Sequence, residues 1–332
     1  MNVSDVALRI ENLQVHYKVY RGILKVLDGI DLEVRRGEKI GLVGETGCGK
    51  TTTLKAVMGI LARNAIVVAG KIRANDDTVL EVKEGRVRKK LPKGVAMVFQ
   101  DPTAALNPVF TVGEQLELVI KYAANINENT REFAIKALQS ARLPDPERLL
   151  SNFPFQLSGG MRQRVCIGMA LAARPSIILA DEPTTNLDVT IQDQVLKLIK
   201  RLSDEQKLAL VLVTHSLGVA RETCDRIYVM YAGTIVEVAD SKEIFEQPLH
   251  PYTKGLLASL PRLTGEGMAE GIKGRIPDYL NPPSGCRFAP RCDHAFEKCF
   301  VEKPFFHKVS DSHLVACFLY EKELKGKSGE QP

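Results

Sequence analysis

No apolar run in this chain of 332 residues approaches the ~18 that a membrane helix needs. The longest, Leu208 to Val213, has the length of one buried strand. The start, MNVSDVALRIENLQV, has neither a basic n-region nor an apolar h-region, so no secretion signal is expected. These absences point to a cytosolic chain. Work at a membrane would require other chains to supply the spanning part. A strong charge is missing too: a net charge of +5 permits a nucleic-acid or anionic-membrane partner without demanding one. The most basic run, KEGRVRKKLPK from Lys83 to Lys93, reads as a solvated loop or hairpin rather than a binding patch. There is no internal repeat and no low-complexity segment. The final stretch KELKGKSGEQP, residues 322–332, reads as disordered. An Asn-Lys-x-Asp guanine motif is absent, which disfavours a GTPase.

Cysteine is thinly spread except in one place. Cys48, Cys166 and Cys224 are scattered, whereas Cys286, Cys292, Cys299 and Cys317 crowd the C-terminal part. In a reducing compartment such crowding favours metal or cluster ligation over disulfides. The gaps of five, six and seventeen residues are wider than those of zinc ribbons and miss the common ferredoxin spacings.

The most informative stretch is Gly44-Glu45-Thr46-Gly47-Cys48-Gly49-Lys50-Thr51, which fits Gly-x-x-x-x-Gly-Lys-[Ser/Thr], a phosphate-binding loop. Its context fits as well. Lys39 to Val43 reads as a buried strand entering the loop, and Leu54, Val57, Met58 and Leu61 recur at helical spacing after it. Glycines let the backbone wrap a phosphate with its amides inward, and the helix N-terminus adds positive potential. Lys50 is placed to reach the β- and γ-phosphates, and the Thr51 hydroxyl to ligate Mg²⁺.

Before the loop, Leu8 to Tyr17 and Ile30 to Val34 read as strands of an antiparallel flap. Tyr17 is either a plain strand-end aromatic or a ring that stacks on adenine. After it, Val95 to Phe99 is a strand ending at Gln100, and the spacing predicts helix from about Thr111 to Leu143. Gln156 to Gln163 follows, with Ser158 as N-cap and Gly159-Gly160 behind it: a second helix start suited to an anion, or an ordinary capped helix. Ile177 to Glu182 is a strand ending in two carboxylates that face opposite ways, so they serve different purposes. Asp181 is suited to the Mg²⁺ shell, and Glu182 to taking a proton from an attacking water. An amphipathic helix carries Ile191, Val195, Leu198, Ile199 and Leu202. His215 stands at the C-terminal end of strand Leu208–Val213, where ligands of α/β sheets bind. Ile227–Met230 and Thr234–Val238 continue the sheet.

In this order and spacing, the loop Gly44–Thr51, Gln100, the segment Leu157-Ser158-Gly159-Gly160-Met161, Asp181-Glu182, Asp188 and His215 resemble the ATP-binding subunit of an ABC transporter. The resemblance covers about residues 5–240. His250-Pro251-Tyr252-Thr253 and Arg287-Phe288-Ala289-Pro290-Arg291-Cys292 resemble the C-terminal extension of the oligopeptide/dipeptide/nickel importer ATPases, over about 241–325. Two small departures are Asn186, where many members have Ala, and Ser216, where Asp is common.

The implied fold is α/β: a P-loop NTPase core with an antiparallel β flap and an inserted helical subdomain at about 101–170. This nucleotide-binding domain would span 1–240 and the extension 241–332. The implied cofactors are ATP and Mg²⁺. Nucleotide binding falls to Tyr17, now as the adenine-stacking ring, and to Gly44, Glu45, Thr46, Gly47, Cys48, Gly49, Lys50, Thr51 and Thr52. Mg²⁺ falls to Thr51, Gln100 and Asp181. Glu182 activates water, Gln100 and His215 sense the γ-phosphate, and Asp188 marks the loop beside the dimer partner. Leu157, Ser158, Gly159, Gly160 and Met161 act on the ATP of a second ATPase subunit. That subunit is expected to be a paralogue, making a heterodimer. Some members of the subfamily bind an iron–sulfur cluster in this extension, which implies a [4Fe–4S] cluster on Cys286, Cys292, Cys299 and Cys317, with zinc or no metal as alternatives.

The expected setting is the cytoplasmic face of the membrane. There the chain would be peripheral to two transmembrane permease subunits, served indirectly by an extracytoplasmic solute-binding protein. Oligo- and dipeptides are the default cargo, with nickel or oligosaccharides as alternatives. A soluble ABC ATPase acting on DNA or ribosomes is the competing class. The chain has neither a coiled-coil or zinc-hook insertion nor a second signature set, and no nucleic-acid partner is expected.

Overall fold

The computed structural model describes residues 5–185, 187–259 and 271–321. The readings of Asn186 and of 322–332 fall outside these residues. Within them the strands form two sheets.

The first is antiparallel. It consists of β1 (Val6–Val19), β2 (Gly22–Arg35), β4 (Ala65–Ala74), β5 (Asp77–Lys83) and β6 (Arg86–Lys89), in the order β2-β1-β4-β5-β6. Leu8, Ile10, Leu13 and Val15 of β1 all point into the core, although a strict alternation would break between Ile10 and Leu13. A bulge absorbs the extra residue: Asn12 has φ 44°, and the register slips there against both neighbours. Gly70 of β4 lies against this bulge, at φ 114°. A Cβ on it would come within 2.6 Å of the Leu13 Cα. β2 is much longer than the expected Ile30–Val34, because a tight turn at Tyr20-Arg21 makes β1 and β2 one hairpin. The basic run forms the exposed end of the β5–β6 hairpin.

The second sheet holds β3 (Lys39–Val43), β7 (Val95–Val98), β8 (Ile177–Asp181), β9 (Ala209–Thr214), β10 (Arg226–Tyr231), β11 (Thr234–Asp240), β12 (His307–Lys308) and β13 (Leu314–Val315). Its order is β12-β13-β11-β10-β3-β9-β8-β7. The pairs from β10 to β7 are parallel, and those from β10 to β12 antiparallel. Every residue of β3, β8 and β9 is buried, as expected of parallel strands covered on both faces.

Helices fill the chain between β7 and β8. The expected helix from Thr111 to Leu143 is two helices, Val112–Tyr122 and Thr130–Ser140. The break carries Asn125 and Asn129, both left-handed at φ 56° and 53°. Asparagine tolerates that conformation well, and apolar periodicity alone does not reveal it. Thr111 and Glu114 form a reciprocal capping box at the first helix. Val112, Leu116, Ile120, Ala134 and Leu138 then share a core with Val165, Leu198 and Ile199.

Among the described residues, the C-terminal extension shares its core with the second sheet. Tyr252 and Phe288 pack into the cluster that holds Val43, Val229 and Tyr231 of the second sheet. β13 adds to the edge of that sheet, pairing Val315 with Glu237. Glu237, on β11, has no solvent exposure. Its carboxylate accepts from His313 Nε2 at 2.7 Å and from the amides of Leu249 and His250 at 2.8 and 2.9 Å. Burial pushes this carboxyl up, but the bonds from His313 and the two amides outweigh it and hold the group below its ordinary value. Glu237→Ala should therefore strand His313 and two amides and cost about 3 kcal/mol. Urea unfolding and limited proteolysis of 271–321 test this. A parental midpoint with parental protease resistance would remove Glu237 as the anchor of the extension.

Candidate functional site

The parallel register brings three strand ends to one edge. Val43 pairs with Thr214, and Asp181 with Val213. The phosphate loop, the two carboxylates and His215 therefore all leave the sheet at the same end, outside the carboxyl ends of the strands.

The loop is shaped by its glycines. Gly49 has φ 110° and caps the helix Lys50–Met58, and a Cβ on it would meet Leu27 Cδ2 at 2.6 Å. Gly47 has φ 83°. The Lys50 ammonium donates to the carbonyls of Gly44 and Glu45 at 2.8 and 3.0 Å. A third, longer contact runs to Cys48 Sγ at 3.9 Å. Cys48 is buried in the core, and burial pushes its thiol up, so its place in the loop is one of packing rather than reactivity.

The Thr51 hydroxyl donates to Asp181 Oδ1 at 3.0 Å. Asp181 is 3% exposed. Its burial pushes the carboxyl up, the Thr51 bond opposes this, and the neighbouring Glu182 charge adds to it. A hydroxyl and a desolvated carboxylate at this separation are hard oxygen donors that a divalent cation would satisfy, so these residues fit Mg²⁺. Glu182 sits at φ 43°, a left-handed conformation that is costly for a residue with a Cβ and is concentrated at functional sites. Its carboxylate accepts from the Thr185 hydroxyl at 3.0 Å and lies 3.3 Å from His215 Nδ1. Glu182 and His215, singled out separately in the sequence, thus lie side by side, with His215 on the exposed side.

The remaining sequence-expected residues stand apart. Gln100 is exposed just beyond β7, and Tyr17 is half-buried near the turn end of β1. Ser158 and Asp188 are exposed and cap the helices Gly159–Ala172 and Val189–Gln206. Those two helices touch: a Cβ on Gly160 would come within 2.8 Å of Ile191 Cγ2. Among the described residues, no hydrogen bond or ion pair joins Tyr17, Gln100, Ser158 or Asp188 to the phosphate loop.

The four C-terminal cysteines line one small cavity, together with His250, His294 and Phe318. All are free thiols. Burial pushes Cys286 and Cys317 up to about 11, and Cys292 up as well. Among the described residues, no three His, Cys, Asp or Glu side chains are drawn together closely enough to hold a metal ion. The four sulfurs converge without closing a metal shell.

Sequence reasoning missed three side chains of the extension that reach the phosphate loop. Tyr252 bonds the Glu45 amide, Tyr279 the Gly47 carbonyl, and Arg291 the Glu45 carboxylate. Tyr252 and Arg291 lie in the segments that carry the resemblance, but no spacing within one segment reveals a contact across some 200 residues or more.

Known proteins share the sequence and the fold of this chain. Residues 27–185 match the ABC transporter family, and residues 236–299 the oligopeptide/dipeptide transporter C-terminal region. The oligopeptide transport ATP-binding protein AppD of Bacillus subtilis is 41% identical over 319 residues, covering 95% of this chain and 97% of its own. The dipeptide transport ATP-binding protein DppD of Escherichia coli is 40% identical over 312 residues, covering 93% and 95%. Among solved structures, the ATP-binding cassette MJ0796, a dimer in a post-hydrolysis state bound to ADP and Pi, is 29% identical. It has a TM-score of 0.59 and covers 70% of this chain and 98% of its own. No described helix is long and apolar enough to cross a membrane. By its relatives, and by both of the regions that it matches, the chain belongs to the family of ABC transporter ATP-binding proteins, in the branch that carries the oligopeptide/dipeptide C-terminal region.

Proposed function

We propose that this chain binds Mg·ATP on its phosphate loop, hydrolyses it at the interface with a second ATPase subunit, and so powers oligo- or dipeptide import. The observation that carries the reading is the placement of Thr51 against Asp181, beside the Glu182–His215 pair, at one end of the sheet. The peptide cargo rests on the relatives, which are oligopeptide and dipeptide transport ATP-binding proteins. On this reading the chain sits at the cytoplasmic face, peripheral to two permease subunits, with a paralogue as its ATPase partner.

Lys50 and the loop amides of Gly47 to Thr52 hold the phosphates, and Tyr17 stacks on the adenine. Thr51, Asp181 and Gln100 hold Mg²⁺, which supplies charge neutralisation between the phosphates. Glu182 takes the proton of the attacking water. His215, 3.3 Å from it, orients that carboxylate and senses the γ-phosphate. Leu157 to Met161 and Asp188 face the partner. The exposure of Ser158 and Asp188, and the absence of a hydrogen bond from either to this chain's own loop among the described residues, support that assignment.

Glu182→Gln should keep ATP binding, trap the closed dimer and lower turnover about 10²–10⁴-fold. Near-parental hydrolysis by this variant in the assembled transporter would take the base role away from Glu182.

The cross-subunit assignment has its own test. Ser158→Arg in this chain, combined with a lesion at the partner's phosphate-loop lysine, damages one composite site twice and leaves the other intact. The same two lesions placed in this chain damage both sites. Equal nucleotide binding at each site in the two arrangements would contradict the assignment.

We also propose that Cys286, Cys292, Cys299 and Cys317 hold a [4Fe–4S] cluster, whose chemistry here is structural cross-linking. Their convergence on one cavity supports this, and soft sulfur donors suit iron–sulfur ligation. Anaerobically purified protein should be brown, with iron and sulfide in equal amounts, and changing any one of the four to Ser should bleach it. A colourless preparation with zinc or no metal would rule the cluster out.

A further inference from the structure

The phosphate loop is gripped from outside by the extension. The Arg291 side chain is 4% exposed, and its Nη1 and Nη2 donate to the two carboxylate oxygens of Glu45 at 2.7 and 3.1 Å. The guanidinium is fixed before it reaches the loop. Nε donates to the Lys273 carbonyl at 2.8 Å, Nη2 to the Ile272 carbonyl at 3.0 Å, and Nη1 to the Tyr231 hydroxyl at 3.3 Å. Two tyrosines complete the grip. The Glu45 amide donates to the Tyr252 hydroxyl at 2.9 Å, and the Tyr279 hydroxyl donates to the Gly47 carbonyl at 2.9 Å. Tyr252 is fully buried, so little water can replace its bond, whereas the Tyr279 bond lies at the surface.

A glycine-rich loop pays a large ordering cost when it closes on a ligand, of order 1–2 kcal/mol per residue fixed. Bonds that already hold its backbone and its one acidic side chain reduce that cost. A forked guanidinium–carboxylate pair is the strong, direction-setting form of such a bond. Glu45 is also the one carboxylate in the loop, next to the phosphate position. Pairing it with Arg291 cancels a charge that would repel a polyphosphate.

We propose that Arg291, supported by Tyr252 and Tyr279, is a positioning residue for nucleotide binding: it draws the Glu45 carboxylate away and holds the loop preformed. The extension thereby sets the chain's affinity for ATP. This rests on the reading of Gly44–Thr51 as the nucleotide loop.

The test measures binding of a fluorescent ATP analogue with Mg²⁺ to the full chain, alongside urea unfolding. Arg291→Met should weaken binding about tenfold, and Glu45→Gln by less. Arg291→Lys, which keeps the charge but loses the fork, should fall between parent and Arg291→Met. Because both lesions break one contact, the double variant Arg291→Met with Glu45→Gln should bind no worse than Arg291→Met alone. In the assembled transporter, Arg291→Met should raise KM for ATP and leave kcat near parental, a split that general loosening of the fold would not give. Affinities within about twofold of parent for both Arg291→Met and Glu45→Gln would overturn the proposal. If Arg291→Met does not fold, Glu45→Gln and Tyr279→Phe decide the same question, since both leave the arginine in place. Lys50→Ala separates the two layers. Lost binding there with parental affinity in the clamp variants overturns the clamp alone. Parental affinity in Lys50→Ala overturns the loop assignment beneath it.

Discussion

Val43 pairs with Thr214, and Asp181 with Val213, in parallel register across β3, β9 and β8. Those strands are buried at every position, so no slip is available without moving polar groups into the core. This register is what sets the Thr51 hydroxyl 3.0 Å from Asp181, and Glu182 within reach of His215. The site is thus a consequence of sheet geometry. Loops supply the reacting groups, but the strands decide which loops meet. The desolvation of Asp181 follows from the same placement: the strand that aims the carboxylate also strips its water.

The extension depends on that sheet in a different way. It shares a core with β10 and β11 and anchors itself on buried polar groups. Glu237 receives bonds from His313 and two amides, and Arg287 reaches Asp28 and the carbonyls of Lys25 and Ala232. A buried charge of this kind adds little net stability, but it is costly to mispair, so it selects one docking position. The same selection places Arg291 and the two tyrosines on the phosphate loop.

Much of the second sheet and its site was legible because it is written locally. Gly44–Thr51 is contiguous, the apolar runs before Asp181 and His215 are strand-length, and Ser158 is a cap read from its own neighbours. What escaped was written across the chain or in backbone conformation. β4 shows little alternation in its sequence because its outer face carries the exposed apolar residues Ile66 and Val68 beside the inward-facing Ala65 and Val67. The helix break at Asn125 and Asn129 lies in left-handed residues that interrupt no apolar pattern. The strained φ of Glu182 has no sequence signature at all. Neither has Arg291, whose partner Glu45 is 246 positions away.

One feature of the family's two-subunit site is already visible in a single chain. Gly160 packs so closely on Ile191 that the Ser158 and Asp188 caps are held by one rigid helix pair. Neither cap bonds to the phosphate loop of its own subunit. On the proposed function, this helix start with an exposed serine and two glycines, packed on a second capped helix, would serve a partner subunit. The Glu182–His215 pair is internal, buried on the carboxylate side and open on the histidine side. On the proposed function the chain would separate two duties in space: its own loop, with Glu182 and His215, for one nucleotide, and Leu157 to Met161 for another. On that proposal, a partner that closes over the first and accepts the second would make hydrolysis contingent on assembly, and so would couple chemistry to movement of the subunits.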